Sequence, residues 1–103
     1  VLLECFQSNH EGALIDKLHE NIDRVQGALV IPAGLTQHGV PLHDAIKGTG
    51  VPLIELHISN VFAREAFRHH STISPVARAV ICGLGVDGYP LAIQALARMQ
   101  TQA

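Results

Sequence analysis

VPLIELHISN, residues 51–60, is the segment of this chain that indicates its fold class most directly. Its first six residues, Val51 to Leu56, form a largely apolar run that is too short for a helix and suits a strand buried on both faces. Comparable runs occur three more times along the chain, at Val1 to Phe6, at Ala28 to Pro32 and at Arg78 to Cys82. The sequence therefore predicts four strands.

Helical patterns separate the predicted strands. Apolar residues between Leu14 and Val25 fall on one helical face, and the spacing of Ser8 and Glu11 is typical of a capping box, so a helix is predicted at about residues 10–25. Further helices are predicted from Val40 to Gly48, from Asn60 to Phe67, and from Asp87 or Gly88 to Met99. Strands that alternate with helices in this way indicate an α/β fold, with a parallel sheet covered on both faces.

The composition limits the classes of protein to which the chain can belong. Its 103 residues suffice for one domain, residues 1–103, and 48% hydrophobic against 16% charged residues predicts a packed core rather than disorder. A formal net charge of −2 without a basic run argues against nucleic acid as a partner. No apolar run reaches the ~18 residues of a membrane span, and the start lacks a signal peptide, so a soluble, cytoplasmic protein is expected.

Polar side chains follow the predicted strands where each strand ends. In parallel sheets, ligands bind beyond the carboxyl ends of the strands, which directs attention to the loops at 7–10, 32–39, 57–61 and 83–88. Polar residues cluster in these loops, among them Asn9, His10, Thr36, Gln37, His38, His57, Ser59 and Asn60. We therefore expect the functional site along this edge of the sheet.

A glycine-rich motif offers a nucleotide-binding alternative. Gly83 to Gly88 spells GxGxxG between a predicted strand and a predicted helix, where a dinucleotide fingerprint would lie. The acid that binds the ribose should follow about 20 residues later, after a second strand, yet residues 89–103 contain no Asp or Glu. The glycines are better explained by a tight turn between strand and helix.

Neither metal nor covalent catalysis is expected from the remaining candidates. The adjacent His69 and His70 point in different directions on any regular element, and the sequence contains no HExxH motif. Lys17 and Lys47 lie on predicted helices away from the loop edge, which does not suit a Schiff base. We expect no cofactor.

The segment around Glu55 and His57 is the richest in chemistry. Two residues apart on a strand, these side chains face the same way, so the carboxylate can hold the imidazole and favour its charged form. His57 is thereby a candidate general acid. Arg64 and Arg68, one helical turn apart, form a cationic face that suits a carboxylate or an anionic intermediate. Surface ion pairs are an equally good explanation of this spacing.

Four separated segments carry a family resemblance: FQSNHEG at 6–12, ELHISN at 55–60, REAFRHHS at 64–71 and ICGLG at 81–85. In order and spacing they resemble type II 3-dehydroquinate dehydratase over nearly the whole chain. The resemblance implies a flavodoxin-like fold, a three-layer sandwich around a five-stranded parallel sheet ordered 2-1-3-4-5. It also implies a homo-oligomer, usually a dodecamer of four trimers. Matched to this pattern, Val1 to Phe6 is the second strand, so we expect a truncated chain without the family's first strand and lid.

The resemblance further implies a hydro-lyase reaction, the dehydration of 3-dehydroquinate to 3-dehydroshikimate by anti elimination through an enolate. The reaction needs no metal or cofactor and serves the shikimate pathway or quinate catabolism. In the family, a tyrosine on a mobile N-terminal lid removes the C2 proton. His57 matches the acid that protonates the departing hydroxyl, and Glu55 supports it.

The other site residues are implied in the same way. Ile58 and Ser59 match the site of the substrate carboxylate, through backbone N–H groups and the hydroxyl. Arg64 matches the arginine that favours tyrosinate, and Arg68 matches a residue that binds substrate hydroxyls. Asp44 matches an acid that reaches the site of a neighbouring subunit.

The sequence departs from the family pattern at several positions. The lid with its base tyrosine is absent from the 103 residues, and the one tyrosine, Tyr89, follows the glycine-rich turn instead. Ile31 stands where the family has a substrate-binding asparagine, and Gln37 where it has a histidine. Two hypotheses follow: a piece of an enzyme with an altered pocket, or a non-catalytic, degenerate binding or assembly subunit of the same fold.

Overall fold

A computed structural model describes residues 1–100 of the chain. Three strands form one parallel sheet in the order β1-β2-β3, with helices between and after them. The elements are α1 (Glu11–Glu20), β1 (Ala28–Val30), α2 (Val40–Thr49), β2 (Leu53–His57), β3 (Ala79–Cys82) and α3 (Gly88–Met99), and five short 3₁₀ turns lie in the loops. The predicted parallel α/β arrangement is therefore confirmed.

The central strand β2 divides the molecule into layers. Its side chains alternate between the two faces of the sheet because successive residues of a strand point in opposite directions. Leu53 packs with Leu42 and Ile46 of α2 in the main core, on the side that α1 also covers. Leu56 lies on the other face against Gly88, at the start of α3. The predicted three-layer arrangement of helices, sheet and helix is thus present.

The predicted strand at Val1 to Phe6 is wrong, so the sheet has three strands and not four. This segment is exposed, and Leu2 is fully so. Its contacts run to α1 instead, since Lys17 Nζ lies 2.8 Å from Glu4 Oε1 and 5.4 Å from the centre of the Phe6 ring. An apolar run becomes a strand only when a neighbour supplies its hydrogen bonds, and within residues 1–100 no strand pairs with the outer edge of β1.

The first helix is shorter than predicted and lacks the predicted capping box. It ends at Glu20, where the Asn21 side chain donates to the Lys17 carbonyl at 2.8 Å. Ser8 Oγ accepts from the His10 N–H at 3.0 Å and does not cap the helix. Glu11 Oε2 instead accepts the Leu42 N–H at 3.1 Å, so this carboxylate caps α2. Of the two residues of the expected capping box, Glu11 is thus used for a contact between helices.

The predicted helix from Asn60 to Phe67 is replaced by two 3₁₀ turns, Val61–Ala63 and Ala66–His69. The expected cap is present, because Asn60 Oδ1 accepts the Phe62 N–H at 3.1 Å. The backbone becomes extended at Arg64, with φ −113° and ψ −163°, and this divides the segment into two turns.

Among residues 1–100 no helix is long and apolar enough to cross a bilayer.

Candidate active site

A cleft of about 270 Å³ opens at the carboxyl ends of β1 and β2. Its walls come from the loop after β1, the end of β2 and the two 3₁₀ turns that follow. The lining residues include the polar side chains of His57, Ser59, Arg64 and Arg68, and also Ile31 and Gln37, the two positions that depart from the family pattern. The loops at 32–39 and 57–61 therefore line a common cleft at the edge of the sheet where the site is expected, and that the cleft is the functional site stays a prediction.

The other two loops do not line the cleft. Residues 7–10 lie outside it because the segment before them is not part of the sheet. The loop at 83–88 instead holds the backbone of two residues that line the cleft. The N–H groups of Gly83 and Gly85 donate to the carbonyls of His57 and Ile58 at 3.2 and 3.0 Å. Gly83 and Gly85 have φ of +89° and +59°, which L side chains rarely adopt, so these glycines are required by the turn.

Glu55 and His57 lie side by side on one face of β2, as their spacing predicts. Both are buried, with relative exposures of 1% and 7%, and His57 reaches the wall of the cleft. His57 Nε2 and Glu55 Oε2 are joined by a hydrogen bond. The other ring nitrogen, Nδ1, is therefore the one left for a ligand.

The ionisation of Glu55 follows from its surroundings. Burial raises the pKa of its carboxyl, but hydrogen bonds from His57, Ser74 and Ser71 and the charge of His57 lower that pKa more, so that it lies below its ordinary value. Glu55 is consequently a carboxylate at neutral pH and can only accept hydrogen bonds. His57 Nε2 must then carry a hydrogen and donate it.

Arg64 and Arg68 both line the cleft although they do not share a helix. The carboxylate between them, Glu65, lies 3.7 Å from Arg64 Nε and 3.2 Å from Arg68 Nε. Arg64 Nη1 also donates to Ser59 Oγ at 3.4 Å. Hydrogen bonding by its own backbone N–H and by Arg68 holds the pKa of Glu65 below its ordinary value. The spacing of Arg64 and Arg68 did not indicate that Glu65 would bridge them.

Three further predicted positions can now be placed. Ile31 is partly exposed and Gln37 partly buried, and both line the cleft beside His57. Asp44 is exposed on α2 and is not brought to the cleft of its own chain. Its role at a neighbouring subunit stays a prediction. Tyr89 lies in the first turn of α3 and lines neither this cleft nor the second cavity, which is described next.

A second cavity of about 160 Å³ adjoins the buried side of the pair. Ser71 and Ser74 line it together with Glu55 and His57, and both hydroxyls donate to the Glu55 carboxylate. The sequence analysis did not identify these serines. Ser71 lies sixteen residues after Glu55, and two serines three residues apart do not by themselves indicate a contact with a distant carboxylate. Within residues 1–100, no group of three or more His, Cys, Asp or Glu side chains is placed to hold a metal ion.

The chain matches a family and several known proteins. A family model described as dehydroquinase class II matches residues 1–97. The 3-dehydroquinate dehydratase of Variovorax paradoxus is 60% identical over 101 residues, which are 93% of this chain and 69% of that protein. The catabolic 3-dehydroquinase 2 of Aspergillus flavus is 52% identical over 92 residues, 89% of this chain and 61% of that protein.

A solved structure agrees with these sequence matches. The crystal structure of a type II dehydroquinase from Butyrivibrio crossotus superposes with a TM-score of 0.87 at 42% identity, over 91% of this chain and 66% of that one. The chain thus spans between 61% and 69% of the length of these three relatives. The resemblance of four short segments, the parallel α/β fold and the matches over nine-tenths of the chain all agree. The chain belongs to the class II dehydroquinase family, with its flavodoxin-like α/β fold.

Proposed function

We propose that this chain provides the leaving-group acid and the substrate-binding wall of a 3-dehydroquinate dehydratase, a hydro-lyase. The observation that carries the proposal is the His57 and Glu55 pair at the wall of a cleft that two arginines also line. A buried imidazole held by a carboxylate is suited to general acid chemistry, because it combines a fixed orientation with a ring nitrogen that can carry a proton and give it up.

In the proposed reaction, a base removes the C2 proton of 3-dehydroquinate and leaves an enolate. The enolate electrons then form the new double bond while the bond to the departing hydroxyl breaks. His57 Nδ1–H gives its proton to that hydroxyl, which leaves as water. His57 ends as a neutral imidazole whose Nε2–H still donates to Glu55, so the carboxylate stays ionised through the cycle.

The cleft also carries charge that suits the substrate, which is a carboxylate. The Ser59 hydroxyl and the backbone of Ile58 lie next to His57 and are proposed to hold the substrate carboxylate. Arg68 is proposed to bind the substrate hydroxyls. Arg64, on the open side, is proposed to stabilise the anionic form of the base. Arg64 and Arg68 together carry two positive charges, and Glu65 neutralises one of them. The remaining positive charge at this wall favours an anionic ligand.

The base is not among the residues of the cleft. In the family it is a tyrosine of the N-terminal lid, and Tyr89 lines neither cavity. We propose that a lid of this kind completes the site, that Asp44 serves the site of a neighbouring subunit in a trimer or dodecamer, and that the protein works in the cytoplasm. The relatives that match include a catabolic enzyme, so both quinate breakdown and aromatic biosynthesis are compatible with the site.

The test uses a hybrid chain, defined as residues 1–103 preceded by the N-terminal segment of the Variovorax paradoxus relative. His57→Ala should lower kcat by ~10²–10⁴ and leave most of the affinity for substrate, because an acid for the leaving group acts in the transition state. Arg68→Ala should instead weaken binding. His19→Ala is the matched control, since His19 is exposed on α1 and lines neither cavity.

Two outcomes would contradict the proposal. Near-normal kcat in His57→Ala would show that another group is the acid. A hybrid chain that folds and binds 3-dehydroquinate without turning it over would support the non-catalytic alternative, which no present observation favours.

A further inference from the structure

Two serines of the loop before β3 hold the carboxylate that supports His57. Ser74 Oγ donates to Glu55 Oε1 at 2.7 Å, and Ser71 Oγ lies 3.1 Å from both carboxylate oxygens. With the bond from His57, both Glu55 oxygens have partners although the side chain is almost completely buried. A buried carboxylate with its hydrogen-bonding capacity satisfied in this way can remain ionised without a full countercharge.

The direction of the Ser71 bond is decided by the backbone. Ser71 Oγ accepts the N–H groups of Ile73 and Ser74, each at 3.0 Å, so its lone pairs are occupied. Its one hydrogen is then free only to be donated, and Glu55 is the acceptor within reach. The turn at residues 71–74 is thus a device that aims a hydroxyl proton at Glu55.

We propose that Ser71 and Ser74 are positioning residues that keep Glu55 an oriented carboxylate and thereby keep the hydrogen of His57 on Nε2. The inference rests on the proposed function and deepens it, because Nδ1 faces the substrate only while Nε2 is bound by Glu55. Without the serine hydroxyls, the buried carboxylate loses two donors and takes up a proton more readily. A protonated Glu55 would donate to Nε2, and the imidazole would lose both its tautomer and its support for the charged form.

Other charged groups around the pair do not replace the serines. Arg68, His69 and His70 border the second cavity, and Arg64 borders the cleft. Arg68 is engaged with Glu65, and His69 Nε2 lies 3.2 Å from the carbonyl of Arg64. The hydrogen bonds recorded to Glu55 come from His57, Ser71 and Ser74.

The first experiment reads the tautomer directly. In ¹⁵N-labelled chain, the imidazole nitrogen shifts of His57 report which nitrogen carries hydrogen, and we expect Nε2–H in the neutral form. Ser74→Ala should move part of the population to the Nδ1–H form, and the double variant with Ser71→Ala should move more. Ser74→Thr keeps the hydroxyl and should restore the wild-type shifts. Thr72→Val is the matched control, since its hydroxyl donates to the Thr36 carbonyl and not to Glu55.

The second experiment uses the hybrid chain and separates positioning from binding. Ser74→Ala should lower kcat roughly 10-fold and leave KM within about twofold, because it acts through Glu55 on the transition state. The pH at which kcat is half-maximal should shift, whereas Thr72→Val should keep the wild-type profile. Ser74→Ala is the primary variant because, within residues 1–100, the side chain of Ser74 bonds to Glu55 alone, while Ser71 Oγ also holds the turn.

The outcomes of the two experiments can be told apart. An active hybrid chain whose serine variants keep the His57 shifts, the pH profile and kcat would overturn the inference and leave the proposed function intact. An inactive hybrid chain in which Ser74→Ala still changes the His57 tautomer would uphold the positioning role and refute the proposed function. Unchanged shifts in the double variant would overturn the inference whatever the activity.

Discussion

The carboxylate of Glu55 and the imidazole of His57, two residues apart on β2, are buried together and joined by a hydrogen bond. The pair lies where the strand opens onto the cleft, so His57 reaches the wall of the cleft and Glu55 lies in the interior. The imidazole is thus held by a neighbour on its own strand, and that neighbour is held in turn by Ser71 and Ser74 from the loop before β3.

The acid stability of the chain should depend on Glu55. Its folded pKa lies below its ordinary value, so the unfolded state binds more protons in the window between the two pKa values. The stabilisation is therefore complete above about pH 5 and is lost as the pH falls through the lowered pKa. Urea unfolding from pH 7 to pH 3 should show this fall, and Glu55→Gln should flatten it. Glu20→Gln, at an exposed position, should keep the wild-type slope.

The 103-residue chain by itself should not dehydrate 3-dehydroquinate. None of the residues that line the cleft is a tyrosine, and a general base typically contributes ~10²–10⁴ in rate. The ultraviolet absorbance of the conjugated product gives a direct assay. Product formation that a competitive inhibitor suppresses would show that a group within these residues acts as the base.

Ile31 and Gln37 should lower the affinity of the cleft for a polyhydroxylated substrate. A substrate hydroxyl facing Ile31 loses water and gains no partner, which costs roughly 1–3 kcal/mol, whereas Gln37 still donates and accepts. In the hybrid chain, Ile31→Asn with Gln37→His should raise kcat/KM more than about tenfold. Calorimetry with 3-dehydroquinate before and after the double change measures the binding part. Equal affinities would mean that the loop after β1 does not reach the substrate.

Gly88 should be intolerant of a side chain. A Cβ at this position would stand 2.7 Å from Leu56 Cδ1, and Leu56, which lies between Glu55 and His57 in sequence, is fully buried. Gly88→Ala should therefore lower the free energy of unfolding by roughly 1–3 kcal/mol. Gly48→Ala is the matched control within α2, where nothing lies within 4 Å of the added Cβ, and it should be neutral or stabilise by up to about 1 kcal/mol. Equal effects of the two changes would disprove the close packing of α3 on β2.

The local sequence pattern was sufficient to predict those features that depend on a single helix, strand or turn. The alternation along Leu53 to His57 placed Glu55 and His57 on one face, because successive strand residues point in opposite directions. Start and stop residues such as Pro41 and Gly48, and the glycines at 83–88, were likewise enough to predict two helices and the turn between β3 and α3. The resemblance supplied the family from short segments whose order along the chain is specific.

Contacts between distant segments were decided by tertiary structure alone. Whether Val1 to Phe6 becomes a strand depends on a hydrogen-bonding neighbour, and its own residues cannot supply one. Glu11 reaches α2 rather than its own N-terminus, and Ser71 and Ser74 meet Glu55 across sixteen or more residues of sequence. A buried carboxylate needs hydrogen-bond donors from whichever segments of the chain pack against it. Which segments these are depends on the packed structure, and no local sequence period encodes it.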